Sequence, residues 1–366
     1  MTAAPQGERL AGPDVTRAVA LVGVVVMNYH GYLNGPDAQA GEGATWAQRL
    51  FDPYEGVLST RFAATFVVVA GMGVALLTRR SVASGDPVAV REDRWRLVRR
   101  GVLLYLVGLV LDWIWPGTIL FFYGAMFVVG ALVFHLRTRW IVTLAAGSAL
   151  AGAGVAWWGA VRRADGRPAD WLFCPATLPT GSPRGLLFDT FVNGSHPLLP
   201  WLAFLCGGIV LGRMLPRLPT ARVVGAGAVL LAASYAVATA AGGGGPVRST
   251  VLSTRPFDRG VLYTAGTLGS SLVAVGLLSA IADRWSGAAP VELLRRAGRT
   301  TLSLYVLHVL VFRFVVDTHR WVGPTGLDTA LVFAGLFCVH AVALAAVWLS
   351  LTPLGPIEAV YRRFGG

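Results

Sequence analysis

The stretch that decides the fold is "GPDVTRAVALVGVVVMNYHGYL", residues 12–33. Ten apolar residues follow Arg17 before Asn28, Tyr29 and His30 interrupt them. Read as a helix, the interval from Arg17 to His30 covers about 18–20 Å. Asp14 and Arg17 then stand at one face of a bilayer, and the Asn28–His30 cluster lies toward the other. Ionisable groups inside a spanning segment cost about 3 kcal/mol or more and mark function.

The rest of the chain has the same character. Of 366 residues, 55% are hydrophobic and only 14% charged, and the mean hydropathy is +0.61. Apolar runs of about 18–22 residues, each long enough for a spanning helix, recur near 16–34, 59–78, 98–115, 118–136, 140–159, 196–214, 222–241, 261–282, 300–318 and 328–351. The expectation is an all-α integral membrane protein, a polytopic bundle of about ten transmembrane helices. Helices are the default because the bilayer core offers no water to open backbone groups. The first run has no small-residue cleavage site and many runs follow it, which speaks against a removed signal peptide.

Every basic residue is Arg, and the net charge is +12. The positive-inside rule accounts for that charge better than nucleic acid does. Sorted among alternate loops, the arginines divide roughly two to one. The richer set includes Arg17, Arg79, Arg80, Arg94, Arg96, Arg99, Arg100, Arg213, Arg284 and Arg362. Both termini are therefore expected in the cytoplasm. Residues 1–13 read as a polar tail, 14–366 as one membrane domain, and 34–59 as an outer loop. The largest outer segment is 160–195, and Gly242 to Gly245 form an outer turn before Pro246. Cys206 and Cys338 fall in spans and Cys174 in an outer loop, so no structural disulfide is expected. Gly101 and Gly108, and Gly208 and Gly212, recur at spacings that let helices approach closely. No internal repeat is evident, so the inverted-repeat pattern of many transporters is not seen.

The candidate chemistry rests on histidines and outer-half arginines. Histidine titrates near neutrality and suits general acid–base work. His30, His196 and His308 are the candidates; the competing reading is of hydrogen-bonded interior residues. His135, His319 and His340 are weaker. No spacing demands a metal. Arg313, beyond His308, and Arg61, at the outer start of the second run, can each hold a carboxylate, phosphate or oxyanion. They can equally pair with a neighbour or reach toward headgroups. Asn28 can donate to an oxyanion or make an interhelical hydrogen bond. Asp14 and Arg17 share a helix face, which fits an ion pair.

These residues also carry a resemblance. "DVTRAVALVGVVVMNYHG" (14–31), "FVVVAGMGVALLTRR" (66–80), "GTILFFYGAMFVVGAL" (117–132), "HPLLPWLAFLCGGIVLGR" (196–213), "AGRTTLSLYVLHVLVF" (297–312) and "GPIEAVYRR" (355–363) together resemble the YeiB-like bacterial membrane family. That family lies within the transmembrane acyltransferase group that includes heparan-alpha-glucosaminide N-acetyltransferase. Thr118 stands where the third segment usually has Asp. The resemblance implies an acyltransferase of the bacterial inner membrane. An acyl group, typically acetyl, would pass from cytoplasmic acetyl-CoA to a hydroxyl or amine of an extracytoplasmic glycan, glycolipid or glycosylated metabolite. Asn28 matches an Asn linked to catalysis in the sugar acetyltransferase. The His that follows it there has no counterpart in 31–59, which makes His30 the nearest candidate for base or transient acyl carrier. Arg313 or Arg61 would stabilise charge. Arg17, Arg94, Arg96, Arg99 and Arg100 would meet the phosphates of CoA, against the plainer reading that they only set topology. The expected partners are the acyl-CoA donor, the acceptor and the lipid bilayer, with no nucleic acid; an oligomer is compatible. A membrane exporter of a small molecule or lipid-linked substrate is the rival reading.

Overall fold

A computed structural model describes residues 10–169, 182–215, 218–242 and 245–366. Cys174 and residues 1–9 of the expected tail lie outside these. Helix α1 (Ala11–Asn34) is the central post. It takes in Ala11, Gly12 and Pro13, so the helix begins before the expected end of the tail. Around it pack α3 (Arg61–Leu77), α12 (Val261–Arg284), α13 (Ala289–Arg299), α14 (Thr301–Phe312) and α15 (Leu327–Leu351). The segment between α1 and α3 includes the short α2 (Trp46–Phe51), whose N-terminus carries a Thr45–Gln48 capping box.

The arginine-rich stretch 79–100, between the second and third apolar runs, is largely helical. Its parts are α4 (Arg79–Ser84) and the first half of α5 (Pro87–Ile114). Asp86 caps α5 by accepting from Val88 N, and Pro87 occupies its first turn, where a missing N–H costs nothing. Helices α6 (Leu120–Val133), α7 (Thr138–Ala164), α8 (Pro183–Phe188), α9 (Leu198–Met214), α10 (Thr220–Ala240) and α11 (Pro246–Val251) follow in order. A π-helical turn, Asp189–Asn193, extends α8, and α16 (Pro356–Gly365) ends the chain.

All ten apolar stretches are helical, but length and composition support fewer crossings than ten. Among the described residues, six helices are long and apolar enough to cross a membrane: α1 with its short 3-10 extension, α7, α10, α12, α14 with the π turn after it, and α15. The bent pair Pro183–Asn193 and Leu198–Met214, angled by 53°, makes a seventh if it is one span. The described residues thus form an all-helical fold with several membrane-spanning helices. Helices α3 and α6 have 17 and 14 residues, about 26 and 21 Å of rise, short of a hydrocarbon core of about 30 Å. Their apolarity is accounted for by burial: Val67, Val68, Val69, Met72, Phe121, Phe122 and Met126 are all core residues.

Glycines bring two helix pairs into backbone contact. A Cβ on Gly71 would meet Leu205 O at 2.1 Å, and one on Gly208 would meet Val68 O at 2.0 Å, so α3 and α9 cross without side chains between them. Gly101, Gly108 and Gly124 do the same for α5 and α6. A second core joins α1, α14 and α15 through Tyr29, Val309, Phe312, Phe333 and Phe337, with Trp115 from the end of α5.

The helix directions place the larger set of arginines, Arg17, Arg79, Arg94, Arg100, Arg299 and Arg362 among them, toward one end of the bundle. Exposed tryptophans sit toward both ends: Trp95, Trp140 and Trp285 at the arginine-rich end, and Trp46, Trp113, Trp157 and Trp321 at the other. Such rings favour the two headgroup regions.

Candidate functional site

A cavity of about 580 Å³ enters the bundle at the arginine-rich end, between α1, α3, α5, α6, α14 and α16. Arg17, Arg100, Arg299 and Arg362 stand among its lining. Arg17 pairs with Asp14 at 2.8 Å. The Arg100 guanidinium lies over the Tyr361 ring at 5.2 Å, and Arg299 donates to Pro353 O at 2.9 Å. The other acid lining the cavity is Glu358, and it is engaged elsewhere. It accepts from the N–H groups of Leu302 (2.7 Å) and Ser303 (3.0 Å) and from the Ser303 hydroxyl, so it caps α14. The lining therefore keeps a surplus of positive charge. Burial pushes the Tyr361 phenol up to about 12, against the opposing pull of Arg100 and Arg17.

Farther in, the walls are Val24, Phe66, Ala70, Val74, Leu104 and Phe127, and Ile119, Leu120, Tyr123 and Tyr305 also line the cavity. Tyr305 holds the far wall in place. Its hydroxyl pairs with Thr118 Oγ1 at 2.9 Å and accepts from Ile119 N at 3.3 Å.

One helical turn beyond Tyr305 stands His308, with no exposed surface. Its Nε2 lies 3.1 Å from Asn28 Nδ2. Its Nδ1 faces the Tyr305 carbonyl oxygen, which can only accept, so Nδ1 carries the proton. Nε2 then presents a lone pair to the Asn28 amide. The Tyr29 hydroxyl donates to His308 O at 2.9 Å. The imidazole is walled by Trp115, Tyr305 and Phe337, with ring centroids 5.6, 4.8 and 6.4 Å away. Asn28 and His308, 280 positions apart, are thus brought together by the packing of α1 on α14.

The other sequence candidates lie elsewhere. His30 is buried, with Nδ1 2.9 Å from Phe51 O, and ties α1 to α2. It is not among the residues lining the cavity. Arg61 is buried between α3, α10 and α12, donating to Ser270 Oγ (3.2 Å), Tyr235 OH (3.2 Å) and Val57 O (3.3 Å). Arg313 is half exposed in the π turn after α14 and pairs with Asp317 at 2.6 Å. His196 lies nearer the site. Its Nδ1 is 2.8 Å from Ser195 Oγ, and that hydroxyl donates to Gly117 O at 3.2 Å, next to Thr118.

Of the five arginines expected at the donor, Arg17 and Arg100 line the cavity. Arg94 lies 3.5 Å from His135, Arg96 pairs with Asp93 at 2.9 Å, and Arg99 donates to Gly365 O at 3.3 Å. Residues not anticipated from sequence are Arg299, Arg362, Tyr123 and Tyr305. Only the Thr118 departure within its segment pointed near the Tyr305 wall. Cys206 and Cys338 are free thiols, and among the described residues no cluster of His, Cys, Asp and Glu is arranged to hold a metal.

Residues 219–365 match a family described as a protein of unknown function, DUF418. DUF418 is the YeiB-like membrane family. The DUF418 match runs from α10 to α16 and includes Arg299, Tyr305, His308, Glu358 and Arg362. It does not include α1, which brings Arg17 and Asn28. No curated protein matches the chain.

Proposed function

We propose that this protein transfers an acyl group, acetyl in the simplest case, from acyl-CoA to a hydroxyl or amine presented at the opposite end of the bundle. One observation carries the reading. A cavity with a basic mouth and an apolar shaft ends one helical turn short of a buried Asn–His pair. Along α1, Arg17 to Asn28 is about 16 Å of rise, the scale of an extended pantetheine arm.

The residues suit the donor. Arg17, Arg100, Arg299 and Arg362 would hold its phosphates, and Arg forks match phosphate oxygens bidentately. The apolar shaft would take the arm, whose thioester supplies the activated acyl group. The chain's own task is then proton handling. His308 Nε2, freed from Asn28, accepts the proton of the acceptor hydroxyl as the new acyl–O bond forms. The acyl–S bond breaks, and the same proton passes to the departing thiolate. The Tyr305 carbonyl keeps the imidazole in the tautomer that leaves Nε2 basic. The Asn28 amide, no longer bound to Nε2, donates to the developing oxyanion. His308 takes the role that sequence gave to His30. The acceptor, a glycan or glycolipid, would approach past Trp115, Gly117, Ser195 and His196. The arginine division supports a cytoplasmic donor side in a bacterial inner membrane.

The test is transfer of label from radiolabelled acetyl-CoA to protein, water or added sugars. His308→Ala and Asn28→Ala are each expected to lower turnover by about 10²-fold or more. His30→Ala should keep turnover while losing heat stability, by about 1 kcal/mol for its buried hydrogen bond. Loss in His30→Ala with retention in His308→Ala would return the base to α1, and no binding of acetyl-CoA would overturn the reading.

An exporter is the second reading. The 53° break between Pro183–Asn193 and Leu198–Met214 favours it, because interrupted helices line many transport sites. Substrate movement across proteoliposomes without acyl-CoA would select it.

A further inference from the structure

The Tyr123 hydroxyl is buried and has no hydrogen-bond partner among the described residues, although its side chain lines the cavity. Its ring is set between Phe66 and Phe127, with centroids 6.4 and 6.3 Å away. Both neighbours are also cavity residues, so the oxygen is held by packing rather than by a polar contact. The groups that face it electrostatically are Arg17, Tyr305 and Tyr361. None of them bonds to it. Arg17 is paired to Asp14, and the Tyr305 hydroxyl is engaged by Thr118 and Ile119. A phenol left unpaired in an apolar wall is costly unless something in the cavity accepts its proton.

We propose that Tyr123 donates a hydrogen bond to the acyl carbonyl of the bound donor, holding the acyl group in the cavity short of the Asn28–His308 pair. This rests on the acyl-transfer reading and adds a residue that distinguishes acylated from free CoA. The ligand class follows from the lining: an anionic head for the arginines, a slender body for the apolar shaft, and an uncharged acceptor oxygen at Tyr123. A saturated hydrocarbon tail would leave the hydroxyl unpaired, whereas an acyl carbonyl supplies the uncharged acceptor that it lacks.

The experiment compares acetyl-CoA with CoA, by calorimetry and by thermal shift, in wild type and Tyr123→Phe. The variant removes one oxygen from a site where it has no protein partner, so the unliganded protein should be as stable as wild type or more so. Wild type is expected to prefer acetyl-CoA, and Tyr123→Phe to lose about ten-fold of that preference while binding CoA unchanged. A second readout uses carbonyl-labelled acetyl-CoA in the His308→Ala background. There, the infrared carbonyl band should move to lower frequency on binding, and Tyr123→Phe should abolish the move. Equal preference in wild type and variant, with an unshifted band, overturns the Tyr123 role alone. Failure of wild type to bind either ligand overturns the acyl-donor reading and this role with it.

Discussion

Asn28 and His30 are two positions apart on a helix that turns about 100° per residue, so they leave α1 about 160° apart. That angle separates their fates: Asn28 meets His308, and His30 meets Phe51 O. Proximity in sequence made His30 look like the partner of Asn28, and only the choice of which face of α1 meets α14 could say otherwise. His308 was visible as an ionisable group in an apolar run; its partner, 280 positions away, was not. A second residue-scale consequence concerns Asp258, in the turn before α12. Burial raises its carboxyl above the ordinary carboxylate range, against smaller opposing effects of Ser253, Arg255 and Arg163. A raised acid favours the folded state fully below its unfolded pKa and loses that contribution as pH climbs through the folded value. Asp258→Asn is therefore expected to raise Tm in detergent at about pH 7 and to leave it unchanged near pH 3, where the carboxyl is protonated in both states. A melt series across that range checks it; equal melts at neutral pH would show that Asp258 is not penalised by burial.

At the scale of elements, the apolar runs announced every long helix but misstated what surrounds them. A run of valines and phenylalanines has the same composition whether it faces lipid or protein. In the long helices, 56% of the apolar window of α1 is buried, against 17% for α10. Hydropathy values of 1.2 and 1.9 run in the opposite order, so apolarity does not rank burial here. The glycine spacing in α9 was informative because close approach leaves a trace in composition: only residues without a side chain fit where α3 and α9 touch. Gly208→Ala should force those helices apart and cost about 1–3 kcal/mol. Gly147→Ala on α7, where an added Cβ meets nothing within 4 Å, should instead stabilise the helix by about 0.4–1 kcal/mol. Thermal melts of both variants test the contrast, and equal melting would contradict the backbone crossing. The amphipathic helices α13 and α16 were hidden from a search for long apolar runs because they are short, with 11 and 10 residues, and charged residues interrupt both. They nevertheless supply Arg299 and Arg362 to the cavity.

At the scale of the molecule, Leu10 and Gly366 lie at the same arginine-rich end, the end at which the cavity enters. Reporter fusions at the two termini should both register the cytoplasm, and acetyl-CoA should protect the protein in inverted vesicles but not in right-side-out ones. A periplasmic signal from either fusion would reverse the orientation. The dryness around His308 has an electrical meaning as well. A membrane at about 100 mV puts about 2.3 kcal/mol on each elementary charge that crosses it, so an unbroken file of water through the bundle would be a proton short-circuit. Buried Tyr305 and Thr118 on the cavity side, and the packed Tyr32 and Trp115 rings, 3.7 Å apart, on the other, occupy space that such a file would need. Packing on both sides of His308 lets a deep basic cavity open at one end of the bundle without opening the other.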